Sequence, residues 1–199
     1  MASVPKTRMT SEQYLAQERE AEFRSEFYVG EIFAMAGASR SHNLICTNLV
    51  RRLAEQFDHR DCEVYQGDMR VKISATGLYV YPDVVVPCEQ PKFEDAQLDT
   101  LLNPRVLVEV LSKSTESYDR GTKWRHYQSL PSLREYMLVS QSSALVEIYR
   151  RTADEGWLYV AYHEPSQPIV LDSIDCQLQL DQIYAKVSFE PEQDPLLTQ

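Results

Sequence analysis

The sequence predicts a single α/β (α+β) domain in which a central mixed sheet is flanked by helices and carries additional β-hairpins. Three observations predict it. Residues 79–86 and 105–111 are almost continuously apolar, as strands covered on both faces are. Ile45, Leu49, Leu53 and Phe57 recur every four positions, the spacing of an amphipathic helix. The 199 residues are 43% hydrophobic and 25% charged, which is the globular average, and no repeat, low-complexity block or linker interrupts them. One domain over residues 1–188 and a flexible tail over 189–199 are therefore expected.

Taken in order, Thr10 and Ser11 before Gln13 predict a capped helix reaching about Arg24. Residues 27–35 read as two strands folded about Gly30. Ser39 or Ser41 caps the next helix, whose other side carries Arg51, Arg52 and Glu55. Residues 62–73 alternate around Gly67, a bulge position. Residues 79–86 form one strand, residues 88–104 a long polar connection, and residues 105–111 another strand. A helix over 117–129 stops before Pro131. A strand at 135–139, a hairpin of 146–150 with 157–161, short strands near Val170 and Leu178 and a turn at 181–184 complete the domain.

Composition excludes several classes. No apolar run reaches the roughly 18–20 residues of a membrane-spanning helix. The first residues lack an apolar h-region, so a cytoplasmic protein is expected. Twenty basic and thirty acidic side chains give a net charge of −10, a field that slows nucleic acid instead of steering it in. Cys46, Cys62, Cys88 and Cys176 form no CxxC pair, so four reduced thiols are expected.

Asp83 and Glu109 are the informative residues, each an acid inside a strand of Val, Leu and Tyr. Moving an ionised carboxylate out of water costs several kcal/mol unless something compensates. Alone, Pro-Asp can begin a turn, and a strand glutamate can pair with Arg70, Arg105 or Arg125. On neighbouring strands the two acids would stand about 5 Å apart, and only a cation between them would let both ionise. A divalent metal is the simplest such cation. The helix that follows sets Asp119, Lys123 and Tyr127 on one face, and Arg120, Arg125 and His126 make it the most basic part of the chain.

These residues carry a resemblance. The runs YPDVVV at 81–86, VEVLSKST at 108–115, Asp119 with Lys123 and Tyr127, and Glu135-Tyr136 resemble the Uma-type putative restriction endonuclease family, of the PD-(D/E)XK nuclease superfamily. Gly30-Glu31-Ile32 and residues 41–45 match its N-terminal half, so the likeness spans about residues 10–185. It implies a restriction-endonuclease-like core with Mg²⁺ (Mn²⁺ as a substitute) held by Asp83, Glu109 and the carbonyl of Val110. Asp83, Glu109 and Lys123 would be catalytic, and DNA would be the substrate. The superfamily's strand lysine, two residues after the acid, is Leu111 here. Lys113 shares its face if the strand continues, and Lys123 matches the family's own pattern.

Glu31, His42 and Tyr127 are further candidates for the site, and Arg120 and Arg125 for phosphate contact. A twofold homodimer is the geometric expectation for cutting both strands. The alternative is a nuclease-fold module without chemistry that binds nucleic acid or a protein partner.

Overall fold

Between residues 65 and 111 the chain passes repeatedly from one sheet to another, and the cleft described below opens where it crosses. The computed structural model describes residues 8–35 and 37–189. Helix α1 (Ser11–Glu20) is capped as expected but ends short of Arg24; its cap is Thr10, whose hydroxyl accepts from the Gln13 amide while the Gln13 side chain accepts from the Thr10 amide. Strands β1 (Ser25–Tyr28) and β2 (Glu31–Ala34) form the expected hairpin. Its turn needs positive φ at Val29 and Gly30 (49° and 83°); a Cβ on Gly30 would also strike Arg8 at 2.5 Å. Helix α2 (Arg40–Phe57) starts at Ser39, whose hydroxyl accepts from the His42 amide.

Strands β3 (Tyr65–Gln66) and β4 (Arg70–Ile73) are separate, with Gly67 turning the chain between sheets in place of a bulge. Residues 79–86 are likewise two strands, β5 (Leu78–Val80) and β6 (Val84–Val86), because Pro82 cannot donate to a ladder. The polar connection contains β7 (Thr100–Leu101) and leads to β8 (Val106–Leu111), all six residues of which are buried. The predicted helix is a composite of α3 (Glu116–Tyr118), a π-helical segment (Asp119–Lys123) and α4 (Trp124–Tyr127). Strands β9 (Glu135–Ser140), β10 (Val146–Arg151), β11 (Trp157–Tyr162), β12 (Pro168–Leu171) and β13 (Cys176–Gln179) follow, then α5 (Leu180–Ile183).

One sheet has the order β2-β1-β5-β4-β7 and the other β11-β10-β9-β8-β6-β3, with β12-β13 a separate pair. Both large sheets are mixed, since β4–β7 and β8–β9 are parallel. Alternation along β8 sends Val106, Val108 and Val110 toward α2, β12, β13 and α5, and Leu107 and Leu111 into a core shared with the five-stranded sheet and α4. Helix α1 covers the first sheet through Tyr14 and Leu15 on Phe27 and Tyr79.

Two expectations need comment. The thiols are not all reduced: Cys62 and Cys88 face each other across an antiparallel bridge and are joined by a disulfide, which their 26-residue separation in sequence hid. Cys46 and Cys176 are free and buried. Most of the expected tail, residues 190–199, lies outside the described residues, while Phe189 packs its ring 5.2 Å from that of Tyr184.

Candidate active site

The register Val84↔Val108, continued one step, sets Asp83 opposite Glu109. Both acids line one open cleft of about 1490 Å³ between the two sheets, with Val110, Lys123, Glu26 and His42 also on its wall. Asp83 is held from two sides. The Val110 amide donates to its Oδ2 at 2.7 Å, and His42 Nε2 lies 3.0 Å from its Oδ1. His42 reaches it from the first turn of α2, with Cys46 Sγ one turn further on and 3.6 Å from Nδ1.

Glu109 is buried far more deeply, at 3% exposure. Lys123 Nζ lies 3.1 Å from its Oε1, and the Tyr127 hydroxyl donates to the same oxygen at 2.7 Å. No donor among the described residues reaches Oε2. Lys123 is shared, since Nζ also lies 3.0 Å from Glu26 and 3.4 Å from Asp119. Three carboxylates therefore surround one ammonium, all of them nearly sealed from bulk water, and among the described residues the buried Asp119 Oδ1 has only this 3.4 Å ion-pair approach and no hydrogen bond.

The electrostatics follow from this excess. Burial pushes Glu109 well above the usual carboxylate range. Lys123 opposes that shift, and the Asp119 and Asp83 charges reinforce it. Burial also raises Asp119, again against Lys123. Burial alone would lower Lys123, but Glu109, Glu26 and Asp119 together hold it well above the ordinary lysine value. One more positive charge in the cleft would oppose the upward shifts of Glu109 and Asp119. The oxygens available to receive it, from two carboxylates and the Val110 carbonyl, are hard donors, the set that suits Mg²⁺. The residues fit the ion.

The family model Uma2, described as putative restriction endonuclease, matches residues 11–182. The chain belongs to this family. Among the relatives of this Uma2 protein, the uncharacterized protein slr1290 of Synechocystis sp. is 36% identical over 94% of this chain and 97% of its own. The uncharacterized protein sll1609 of the same organism is 40% identical over 75% and 85%. A crystal structure of a putative nuclease belonging to DUF820 from Anabaena variabilis superimposes with a TM-score of 0.73, covering 88% of this chain and 97% of that one at 16% identity. That likeness shows the fold: mixed sheets flanked by helices, arranged as in that structure.

The remaining sequence candidates divide. Lys123, Tyr127 and His42 converge on the two acids. Lys113 does not: β8 ends at Leu111, and Lys113 is exposed in the turn that follows, so the strand-face argument fails. Glu31 sits exposed on the edge strand β2, off the cleft wall. The acid that the hairpin contributes is Glu26, which also accepts from the Tyr118 hydroxyl at 3.0 Å. Its signal was present in the strand SEFY, where Phe27 turns to the α1 side and so sends Glu26 to the other. Arg120 is bound to Glu116 at 2.7 Å and to Glu147, and Arg125 is exposed with one side-chain hydrogen bond among the described residues, 3.3 Å to the Thr122 hydroxyl. Neither arginine lines the cleft.

Proposed function

We propose that this Uma2 protein is a Mg²⁺-dependent endonuclease that hydrolyses phosphodiester bonds in DNA. The observation that carries the reading is the convergence of Asp83, Glu109 and Val110 in one cleft with Lys123 Nζ 3.1 Å from Glu109. Asp83, Glu109 and the Val110 carbonyl would hold the ion, with Mn²⁺ as a substitute. When bound, it supplies Lewis acidity to the scissile phosphodiester and to a nearby water.

The protein side of the mechanism is positioning and charge. Val110 N–H and His42 fix the Asp83 carboxylate in one orientation, and Tyr127 and Lys123 together fix Oε1 of Glu109. Lys123 keeps its proton and presents an ammonium to negative charge developing on the phosphoryl group. It takes the part of the missing strand lysine from a neighbouring helix, because its side chain reaches the acid that Leu111 cannot serve. Each cleft handles one strand, so duplex cutting calls for a twofold homodimer.

A second reading has one observation in its favour: Leu111 stands in the lysine position, and the substitute Lys123 is already occupied by three carboxylates. A nuclease-fold binding module would look the same. Incubating the protein with plasmid DNA in Mg²⁺ or Mn²⁺ separates them. The endonuclease reading expects cleavage that EDTA, Asp83→Ala and Glu109→Ala each abolish. Intact DNA with folded protein, or cleavage that survives both substitutions, overturns it.

A further inference from the structure

We propose that His42, Cys46 and Asp83 form a second cation site, selective for a thiophilic divalent ion such as Zn²⁺, which withdraws Asp83 from the magnesium set when filled. One ligand atom from each residue lies within 4.8 Å of the others. A four-coordinate zinc with bonds of about 2.0–2.3 Å holds its ligands roughly 3.5 Å apart. As it stands, the ring touches the thiol through one nitrogen, Nδ1 at 3.6 Å from Cys46 Sγ, and the carboxylate through the other, Nε2 at 3.0 Å from Asp83 Oδ1, so a single ion requires one nitrogen to face both partners. A turn of one imidazole then closes the set.

The framework is rigid where it must be. His42 and Cys46 are four apart on α2, so one helix face presents both. Cys46 is anchored in the core beside Ile45 and Leu49. Asp83 comes from across the cleft, fixed through its other oxygen by Val110. His42 and Asp83 keep partial exposure on the cleft side, at 16% and 20% of their side chains, which leaves an approach for the ion and a fourth, open position.

Donor chemistry separates this set from the one proposed for Mg²⁺. Thiol and imidazole are soft and borderline donors, which zinc accepts and magnesium does not. Without a cation the thiol stays protonated, because burial and the neighbouring Asp83 and Glu109 charges all push it up. A bound cation would offset the two carboxylate charges and stabilise the thiolate directly. The sulfur–metal bond forms as the thiol proton leaves to solvent, and the neutral imidazole keeps one proton on the nitrogen turned away from the ion. Asp83 would then serve zinc in place of magnesium. The binding claim stands by itself, and only its inhibitory consequence rests on the endonuclease reading.

The test uses the full chain with its disulfide intact. After dialysis against Zn²⁺ in excess Mg²⁺, one equivalent of zinc is expected to remain per chain. Co²⁺ is expected to give a thiolate-to-metal charge-transfer band. Cys46→Ser and His42→Asn should each lose the band and most of the zinc, while Cys176→Ser keeps both. Because Cys46 is buried, circular dichroism melts accompany each variant, and the His42→Asn result decides if Cys46→Ser does not fold. No retained zinc, or equal retention in folded His42→Asn, overturns the proposal. Cleavage in Mg²⁺ that persists at saturating zinc overturns the inhibitory part. A failed zinc test beside Mg²⁺-dependent, Asp83-dependent cleavage would leave the endonuclease reading intact.

Discussion

Glu109 and Glu135 are both acids buried in apolar strands, β8 and β9, that lie side by side in one sheet, yet their surroundings differ in kind. Glu135 faces the α2 side with Met137 and Val139, whereas Glu109 faces the cleft. Both oxygens of Glu135 are used. Arg150 donates to Oε1 at 2.9 Å, and the Ser173 hydroxyl and amide donate to Oε2 at 2.5 and 3.2 Å. The second partner of Arg150, Asp172, is largely in water. Among the described residues Glu109 has its donors on one oxygen and shares its one cation, Lys123, with two other buried acids. Burial in an apolar strand is thus common to both. The unbalanced charge and the unengaged oxygen are what mark a site built to receive something.

Removing each acid should break the comparison open. With the endonuclease reading, Glu109→Gln lowers the cleavage rate at least about 10³-fold, or about 4 kcal/mol in barrier. Glu135→Gln leaves the rate per folded molecule within about twofold. Urea denaturation of the metal-free protein should rank the pair the other way. Glu135→Gln takes the buried partner from Arg150 and costs about 2–3 kcal/mol, below the full value for a broken buried pair because Arg150 keeps Asp172 and some exposure. Glu109→Gln removes one of three crowded carboxylates and costs less than about 1 kcal/mol. Equal destabilisation by both would make Glu109 a structural residue and end the contrast.

Much of this contrast was legible in the sequence, and the misses have physical reasons. An acid in an apolar strand is visible by eye, so Asp83 and Glu109 stood out, and i, i+4 spacing brought Lys123 and Tyr127 along. Periodicity also yields the hairpin at Gly30, the cap at Thr10 and the face of α2. It cannot show where a chain leaves one sheet for another, so residues 79–86 looked like one strand until Pro82 divided them. Nor can spacing say which of two hairpin acids turns inward. Glu31 lies beside the glycine that draws attention, but Glu26 is on the strand with a covered face. The Cys62–Cys88 bridge depends on strand registry across 26 residues, which nothing local encodes.

The pH dependence of stability sharpens the comparison further. Lys123, Asp119, Asp83, Tyr127 and Tyr136 surround Glu109, with Glu26 on the far side of Lys123, and burial with the like charges wins, raising its pKa. A carboxyl raised on folding binds more protons native than unfolded, so stability is lost as pH climbs above the unfolded value of about 4.3. The slope approaches about 1.4 kcal/mol per pH unit over the interval in which only the unfolded chain is ionised. Asp119 adds to it with the same sign. Lys123, raised as well, gives a contribution complete below its unfolded value of about 10.4 and lost only above. Metal-free protein should therefore weaken from pH 5 toward neutrality, with Glu109 and Asp119 each contributing at most about 1.4 kcal/mol per unit. Glu109→Gln should flatten that decline, and Glu135→Gln should leave it in place. An equally steep decline in Glu109→Gln would assign it to other groups.

The smallest effect concerns the two arginines on the helical segment beside the cleft. A cation already neutralised by the protein releases few counterions when DNA arrives, whereas a free one releases about one per phosphate met. Arg120 is committed to Glu116 and Glu147, and Glu147 is itself only 7% exposed in its side chain. Replacing Arg120 by alanine should lower stability, since it abandons that carboxylate, without changing how binding falls with salt. Arg125 is exposed and has no ion pair among the described residues. If DNA lies across this segment, Arg125→Ala should reduce the slope of log affinity against log salt by about 1 and weaken binding evenly across sequences. An unchanged slope would move the phosphate path off the segment and leave the cleft's own cations, foremost Lys123, to meet the backbone. That outcome would tie affinity to the same charge balance that governs Glu109, because each carboxylate neutralised by a metal ion would free Lys123 further for the substrate.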